Sequence, residues 1–147
     1  MVEVTRSFTV DAAPEVVVDY LRDFSRAAEW DPGTVTCEQI SAGPVSVGTQ
    51  WHNVSKIGGM KTELTYELTR LEPGRVVFVG KNDTATSIDD ITVAVGDEKD
   101  TAALTYHATI EFHGAAKLAA PIAKVVFEKI GKDTEDSLTQ IFSAAKE

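Results

Sequence analysis

The sequence predicts an α+β domain, in which a curved, seven-stranded antiparallel sheet wraps around a long C-terminal helix and two short helices lie between strands 1 and 2. Three observations indicate this fold. Apolar and polar residues alternate at the N-terminus, six further β-rich segments follow from Thr34 onward, and apolar residues recur at helical spacing after Gly114. Successive strands with short links pair antiparallel, so we expect the six segments to form a meander.

The first strand and the two short helices occupy the first quarter of the chain. Alternation over residues 2–10 predicts the strand. Residues 11–15 offer an N-cap candidate and a proline at an early helical position, so a short amphipathic helix is expected there, ending near Phe24. A second helical turn is expected over 25–30, because Asp-Pro-Gly at 31–33 stops it.

Six β-rich segments separated by turn residues predict the rest of the sheet. Their alternation gives the sheet one apolar and one polar face. In the last segment, for example, Leu104 and Tyr106 lie opposite Thr105 and His107. The predicted strands span residues 34–40, 48–57, 60–71, 75–80, 85–95 and 102–112.

A single apolar stripe marks the long terminal helix over about thirty residues. Pro121 lies inside the stripe and Gly131 interrupts it, so the helix is expected to be kinked or to start late. The segment 114–131 is therefore the expected gate. The stripe comprises Leu118, Ile122, Val125, Val126, Ile130, Leu138, Ile141 and Phe142.

Length and composition limit the possible partners. The 147 residues fit one domain, 1–147. Fourteen Lys and Arg against 23 Asp and Glu give a net charge of -9, without a basic stripe, so nucleic acid and anionic membrane surfaces are not expected partners. Cys37 is the only cysteine and there is no segment of signal-peptide or membrane-span character, so a cytoplasmic protein without integral membrane association, monomeric or homodimeric, is expected.

One long helix cannot fill a wide, curved sheet, so we expect a cavity between helix and sheet. Trp51 is expected to face it, with core filling as the alternative. Tyr66 and Tyr106 could orient a ligand carbonyl, unless backbone or water satisfies their hydroxyls. Asn53 is a candidate amide donor, with a strand-edge position as its alternative. The candidate ligand-binding residues are Trp51, Asn53, Leu64, Tyr66, Val93, Tyr106, Ile122 and Val126.

Three charged residues fall at strand positions whose side chains are predicted to point inward. Arg6 and Arg70 could contact an anionic head group there. The favoured interpretation is that each lies at the end of a strand and extends its side chain into solvent. Asp89 is predicted to lie on the same face of its strand as Ile91, where burial would raise the pKa of Asp89. A loop at Asp89 and Asp90 is favoured instead.

The sequence predicts neither a metal site nor a cofactor site. His52 and His107 lie on the polar face of the predicted sheet, and His113 precedes a glycine at the strand-to-helix turn. All three are therefore expected to face solvent. No spacing matches a metal-ligand set, a nucleophile motif or a phosphate loop.

Four short segments, together with the order of the elements, point to a known family. The segments are residues 8–17 (FTVDAAPEVV), 30–32 (WDP), 48–51 (GTQW) and 71–76 (LEPGRV). With the order of strand, two short helices, six strands and long helix, they resemble the helix-grip fold of the START-like (SRPBCC) superfamily. Within it, the sequence is most similar to the polyketide cyclase/dehydrase and lipid-transport family. The resemblance covers nearly the whole chain and implies a shared pocket, although the family's members differ in what they do with it.

The expected function is binding of a hydrophobic or amphipathic small molecule, such as a lipid, polyketide or isoprenoid, with fatty acids and polycyclic aromatics as test ligands. The alternative is a polyketide cyclase/aromatase-type enzyme, a cyclase or dehydratase without metal or nucleotide cofactor that folds its substrate and transfers protons. For that chemistry the sequence offers Tyr66, Tyr106 and Asp89, and no catalytic residue is assigned. A protein-interaction module is the second alternative, which an apolar patch outside the cavity would favour.

Overall fold

Seven strands form one antiparallel sheet in a computed structural model, which describes residues 1–57 and 59–144. The strand order is β1-β7-β6-β5-β4-β3-β2, so the first strand pairs with the last and the others follow as a meander. The predicted sheet is thus confirmed, and its largest boundary difference is that β3 begins at Gln50. The strands are β1 Val2–Val10, β2 Thr34–Gln39, β3 Gln50–Ile57, β4 Met60–Glu72, β5 Arg75–Lys81, β6 Ala85–Val95 and β7 Ala102–Phe112.

Short helices connect β1 to β2, as predicted. Helix α1 spans Pro14–Leu21 and begins on the proline. The second predicted helix is split into a 3-10 turn, Phe24–Arg26, and the short α2, Ala27–Trp30. The carboxylate of Asp23 accepts a hydrogen bond from the backbone N–H of Ser25 at 3.1 Å, which caps the 3-10 turn.

The long helix starts late, which is one of the two outcomes expected from the sequence, the other being a kink. A 3-10 segment, Gly114–Ala119, precedes α3, which runs from Ala120 to Ala144. Pro121 is the second residue of α3, where a helix does not use the backbone N–H that proline lacks. Gly131 does not interrupt α3. A Cβ on Gly131 would lie 2.5 Å from Val4 Cγ1, so this glycine lets α3 approach β1 closely.

A large apolar cluster occupies one end of the space between sheet and helices, which we call the filled end. Phe24 lies within it, with ring centroids 4.3 Å from Phe78 and 4.6 Å from Tyr66. The C-terminal half of α3 closes this end with Leu138 and Phe142, which are 0% and 2% exposed. Two short helices and half of α3 thus cover the filled end.

The opposite end, which we call the cavity end, has a much thinner cover. Its buried cluster consists of Val2, Ala85 and Ile110. The first part of the predicted apolar stripe is largely exposed here, since Leu118 in the 3-10 segment and Ile122 and Val125 in α3 are 86%, 73% and 72% exposed. The first half of α3 therefore covers this end of the sheet without burying these three side chains.

Candidate functional site

A cavity of about 490 Å³ lies between the inner face of the sheet and the first half of α3. This volume falls within the range of about 300–1,000 Å³ that is usual for ligand sites. Strands β1, β4, β6 and β7 supply most of its wall, and α3 covers it with Ala123, Val126, Phe127 and Ile130. Met60 and Ile122 also line it and are 70% and 73% exposed, which places them at its mouth.

Five of the eight candidate ligand-binding residues line this cavity. Leu64, Tyr66 and Tyr106 do so from the sheet, and Ile122 and Val126 from α3. The alternation along the strands and the helical stripe therefore brings them to one place.

The other three candidates lie outside the cavity wall, and Trp51 shows why. Its side chain is fully buried at the filled end, with ring centroids 5.7 Å from Phe78 and 6.0 Å from Phe24. Trp51 Nε1 donates to Ser25 Oγ at 3.2 Å. Val93 is 5% exposed in the same cluster. Both face the inner side of the sheet, but at the end that the short helices fill, so the core alternative describes the position of Trp51.

Asn53 is buried beneath the cavity in a chain of hydrogen bonds. Its Oδ1 accepts from Ser55 Oγ at 2.6 Å, and its Nδ2 donates to Thr34 Oγ1 at 3.2 Å. Thr34 Oγ1 in turn donates to Asp31 Oδ2 at 3.1 Å. Ser55 and Asp31 both line the cavity, so Asn53 holds two lining residues in place.

Asp89 lies within β6 and not in a loop, so the favoured sequence interpretation is wrong. It pairs with Ala108 of β7 and Phe78 of β5 in the ladder, it is 5% exposed, and it lines the cavity. Tyr106 Oη donates to Asp89 Oδ1 at 2.7 Å. Burial, with a smaller contribution from the charge of Asp31, raises the pKa of Asp89 to about 7.

Asp31 is the second carboxylate on the cavity wall, and the sequence analysis missed it. There the residue served only as part of the helix stop. Its Oδ1 accepts from the backbone N–H of Gly33 at 2.9 Å, which fixes the turn into β2. Burial raises its pKa, and the bonds from Gly33 and Thr34 oppose that shift. The position of Asp31 in the sequence, between Trp30 and the turn into β2, could have indicated its place on the cavity wall. A turn that packs the short helices onto the sheet also faces the space between the helices and the sheet.

Tyr66 stands at the boundary between the filled end and the cavity. Its ring lies over Gly80, its partner in the β4–β5 ladder, where a Cβ would come within 2.5 to 2.7 Å of three ring atoms. Burial raises the pKa of the Tyr66 hydroxyl well above its usual value, and the charge of Asp89 adds to the effect. The pKa of Tyr106 is raised in the same way. Both hydroxyls therefore remain protonated donors at neutral pH.

The two arginines considered as head-group ligands do not line the cavity. Arg6 Nε donates to Glu135 of α3 at 3.0 Å, and Arg70 pairs with Glu72 at an exposed strand end. Carboxylates of the protein thus pair with both guanidinium groups. Arg6 lies within β1 and not at a strand end, so the favoured sequence interpretation is wrong for Arg6.

The histidines lie apart, on the outer face. His52 is 3.3 Å from Glu63 and His107 is 3.6 Å from Glu3, and His113 Nε2 lies 3.0 Å from Thr86 Oγ1. Within residues 1–57 and 59–144, His, Cys, Asp and Glu form no group that could hold a metal ion. In the same part of the chain, every helix is too short or too polar to cross a membrane.

Comparison with solved structures shows a START-like fold. The Zhui aromatase/cyclase from Streptomyces sp. R1128 matches with a TM-score of 0.81 and 13% identity, over 99% of this chain and 95% of that chain. A protein from Thermus thermophilus matches with a TM-score of 0.79 and 15% identity over 99% of both chains. A START superfamily protein from Mycobacterium smegmatis gives 0.72 and 15%, over 95% of this chain and 98% of that chain.

The sequence itself identifies the family. The family model described as polyketide cyclase / dehydrase and lipid transport matches residues 1–142. The chain therefore belongs to this family, which confirms the predicted resemblance. Comparison with curated proteins gives no match.

Proposed function

We propose that the protein binds an apolar or amphipathic small molecule in the cavity between the sheet and α3. The observation that carries this proposal is the cavity itself, about 490 Å³ with a mainly apolar wall that includes the carboxyl groups of Asp31 and Asp89. Burial of apolar ligand surface yields about 25 cal/mol per Å². The carboxyl and hydroxyl groups at the inner end then fix the orientation of the ligand.

The mouth of the cavity supports this function as well. Met60 and Ile122 are exposed apolar residues on opposite sides of it, and the exposed stripe continues along the helical segment with Leu118 and Val125. An apolar ligand that enters between them passes from one apolar surface to another. Ile122 belongs both to the exposed stripe and to the cavity lining, so the stripe reaches the cavity.

Saturable binding of Nile red, an uncharged fluorescent dye, tests the proposal. We expect wild-type protein to bind the dye with a blue-shifted, saturating emission. Ala123→Trp places an indole in the cavity wall and is expected to weaken binding more than about tenfold, or by ~1.4 kcal/mol. Lys124→Trp, at the adjacent exposed position of α3, is the matched control and should leave the affinity unchanged. Absence of saturable binding, or equal affinity in both variants, would contradict the proposal.

One observation favours a second function, acid–base catalysis on a bound polyketide. A general acid or base works best with a pKa near the operating pH, and Asp89 has a pKa of about 7 at the inner end of the cavity, beside the Tyr106 hydroxyl. Asp89 would take a proton from an acidic carbon of the ligand and return it to an oxygen. Turnover of a poly-β-ketone that Asp89→Asn abolishes, while Nile red still binds, would establish this activity, and no turnover by wild-type protein would exclude it for that substrate.

A further inference from the structure

The inner end of the cavity carries acids without a matching base. Asp31, from the turn after α2, and Asp89, from the middle of β6, both line it. They are close enough that the charge of Asp31 raises the pKa of Asp89. Among the described residues that line the cavity, none is Lys, Arg or His. The protein therefore places two acidic groups in an apolar space and supplies no cation of its own.

The hydrogen bonds leave acceptor capacity on both acids. Among the described residues, Tyr106 is the one donor to Asp89, and it uses Oδ1, so Oδ2 of this side chain, 5% exposed, has no donor. Asp31 receives one bond on each oxygen, from Gly33 and from Thr34. A carboxylate can accept about four hydrogen bonds, and a buried carboxylate is costly unless it is paired. A ligand that donates hydrogen bonds would complete the site.

Charge decides which kind of donor fits best. A cation beside the two acids favours their ionised forms and removes the repulsion between them, whereas an anionic ligand would be repelled by both. The charge of the whole chain acts in the same direction, because 23 acidic residues against 14 basic ones attract cations to the surface. A carboxylate ligand such as a fatty acid is therefore disfavoured at this end of the cavity by the charge of the two acids.

We infer that the cavity takes an apolar ligand that carries a protonated amine, with the ammonium group at the inner end beside Asp89 and Asp31. The inference rests on the proposed function, because it assigns the ligand chemistry of the same cavity. The apolar part of the ligand lies along Leu64, Ile110 and Phe127, towards the mouth.

Three ligands with one chain length and different head groups test the inference. Dodecylamine, dodecanol and dodecanoic acid compete with Nile red at neutral pH, below the concentrations at which they form micelles. We expect the amine to displace the dye at a concentration more than about tenfold lower than the acid, which corresponds to ~1.4 kcal/mol, with the alcohol between them. If Nile red binds but the amine is no better than the acid, the inference is wrong and the proposed function stands. If neither Nile red nor any of the three ligands binds, the proposed function itself fails.

Two variants and one control variant connect the selectivity to the inner end. Asp89→Asn keeps an acceptor for Tyr106 and should bring the amine to the affinity of the alcohol. Asp90→Asn is the matched control, because the next residue of β6 points to the outer face and pairs with Arg75 at 2.6 and 2.9 Å. It should retain the selectivity of the wild type. Ser87→Lys, two residues from Asp89 on the cavity wall, supplies an internal cation and should reverse the preference towards the acid. Unchanged selectivity in both Asp89→Asn and Ser87→Lys would overturn the inference.

Discussion

The filled end and the cavity end lie under the same sheet, yet one is solid and the other is hollow. Strand β7 contributes Leu104 to the filled end and Ile110 to the cavity end, at 1% and 8% exposure. Strand β4 likewise contributes Leu68 to the first and Leu64 to the wall of the second. The strands thus contribute inward apolar residues at both ends.

The elements that cover the sheet make the difference. Helices α1 and α2, the 3-10 turn with Phe24 and the second half of α3 fill one end with large side chains. Only the first half of α3 covers the other, and its close approach to β1 is at Gly131, at the boundary between the two. An inward apolar pattern therefore forms a core where several covering elements pack large side chains against it, and borders a cavity where half of one helix is the cover.

The largest expected effect is that of Trp51→Ala. Because Trp51 is fully buried among aromatic rings, its loss should lower the free energy of unfolding by about 3–5 kcal/mol. The affinity of the folded variant for Nile red should stay unchanged, because the indole does not line the cavity. Urea unfolding and dye titration measure the two quantities. A tenfold loss of affinity with little loss of stability would instead assign Trp51 to the ligand site.

The second effect is the pH dependence that Asp89 contributes. Its pKa is about 7 in the folded protein, above the ordinary value near 4, so the folded state holds its proton where the unfolded state has lost it. This contribution to stability is full below about pH 4 and is lost as the pH rises through about 7. Between about pH 5 and about pH 8, wild type should lose about 2 kcal/mol more than Asp89→Asn.

Urea unfolding at the two pH values measures this difference. Asp31, Tyr66 and Tyr106 also face Asp89, and the pKa of each is raised as well. They are present in both proteins, so the difference between the two profiles reports the titration of Asp89 together with its coupling to these groups. Asp90→Asn, on the outer face, should follow the wild type. Parallel pH profiles for wild type and Asp89→Asn would mean that Asp89 titrates alike in the folded and unfolded states.

The sequence predicted the sheet because each strand depends on its own alternation and on the turns beside it. It also brought Leu64, Tyr66 and Tyr106 to one surface, since parity determines the face of a strand. The alternation of side chains along a strand does not show how far along the strand the covering helices extend. For that reason Trp51 and Val93 were predicted to lie at a cavity that begins further along the sheet. Asp89 and Asp31 were misjudged for a related reason, because an acid in a strand or turn is polar by local criteria and only its neighbours show that it is buried.

The third effect concerns the boundary at Gly131. Gly131→Ala should favour the helix by about 1 kcal/mol, but its Cβ would overlap Val4 Cγ1. Overpacking costs about 1–3 kcal/mol, so the two effects together predict a net loss of up to about 2 kcal/mol. Combining it with Val4→Ala, which removes the overlapping methyl group, should cost less than the sum of the two single changes. Additive losses would show that α3 does not rest on β1 at this point.

The smallest expected effect on stability is that of Phe127→Ala at the cavity end. Helix α3 also supplies the residue for comparison at the filled end, Phe142. Phe127 and Phe142 lie on α3, the first half-buried in the cavity wall and the second 2% exposed, with its ring centroid 5.3 Å from that of Tyr20. Phe127→Ala should lower the free energy of unfolding by about 1 kcal/mol, because its ring already borders open space. Phe142→Ala should cost about 3–5 kcal/mol.

Ligand binding should respond in the opposite order to stability. Removal of the Phe127 ring takes apolar surface from the ligand and should weaken Nile red binding severalfold, whereas Phe142→Ala should bind the dye like the wild type under conditions in which it is folded. Hydrogen exchange provides a second measurement on the unmodified protein. Bound ligand should slow exchange of the amides over residues 120–130 more than over 132–142, because the first half of α3 gains a packing partner and the second already has one. Equal stability losses for the two phenylalanines, together with uniform slowing along α3, would mean that the two ends of the sheet are packed alike.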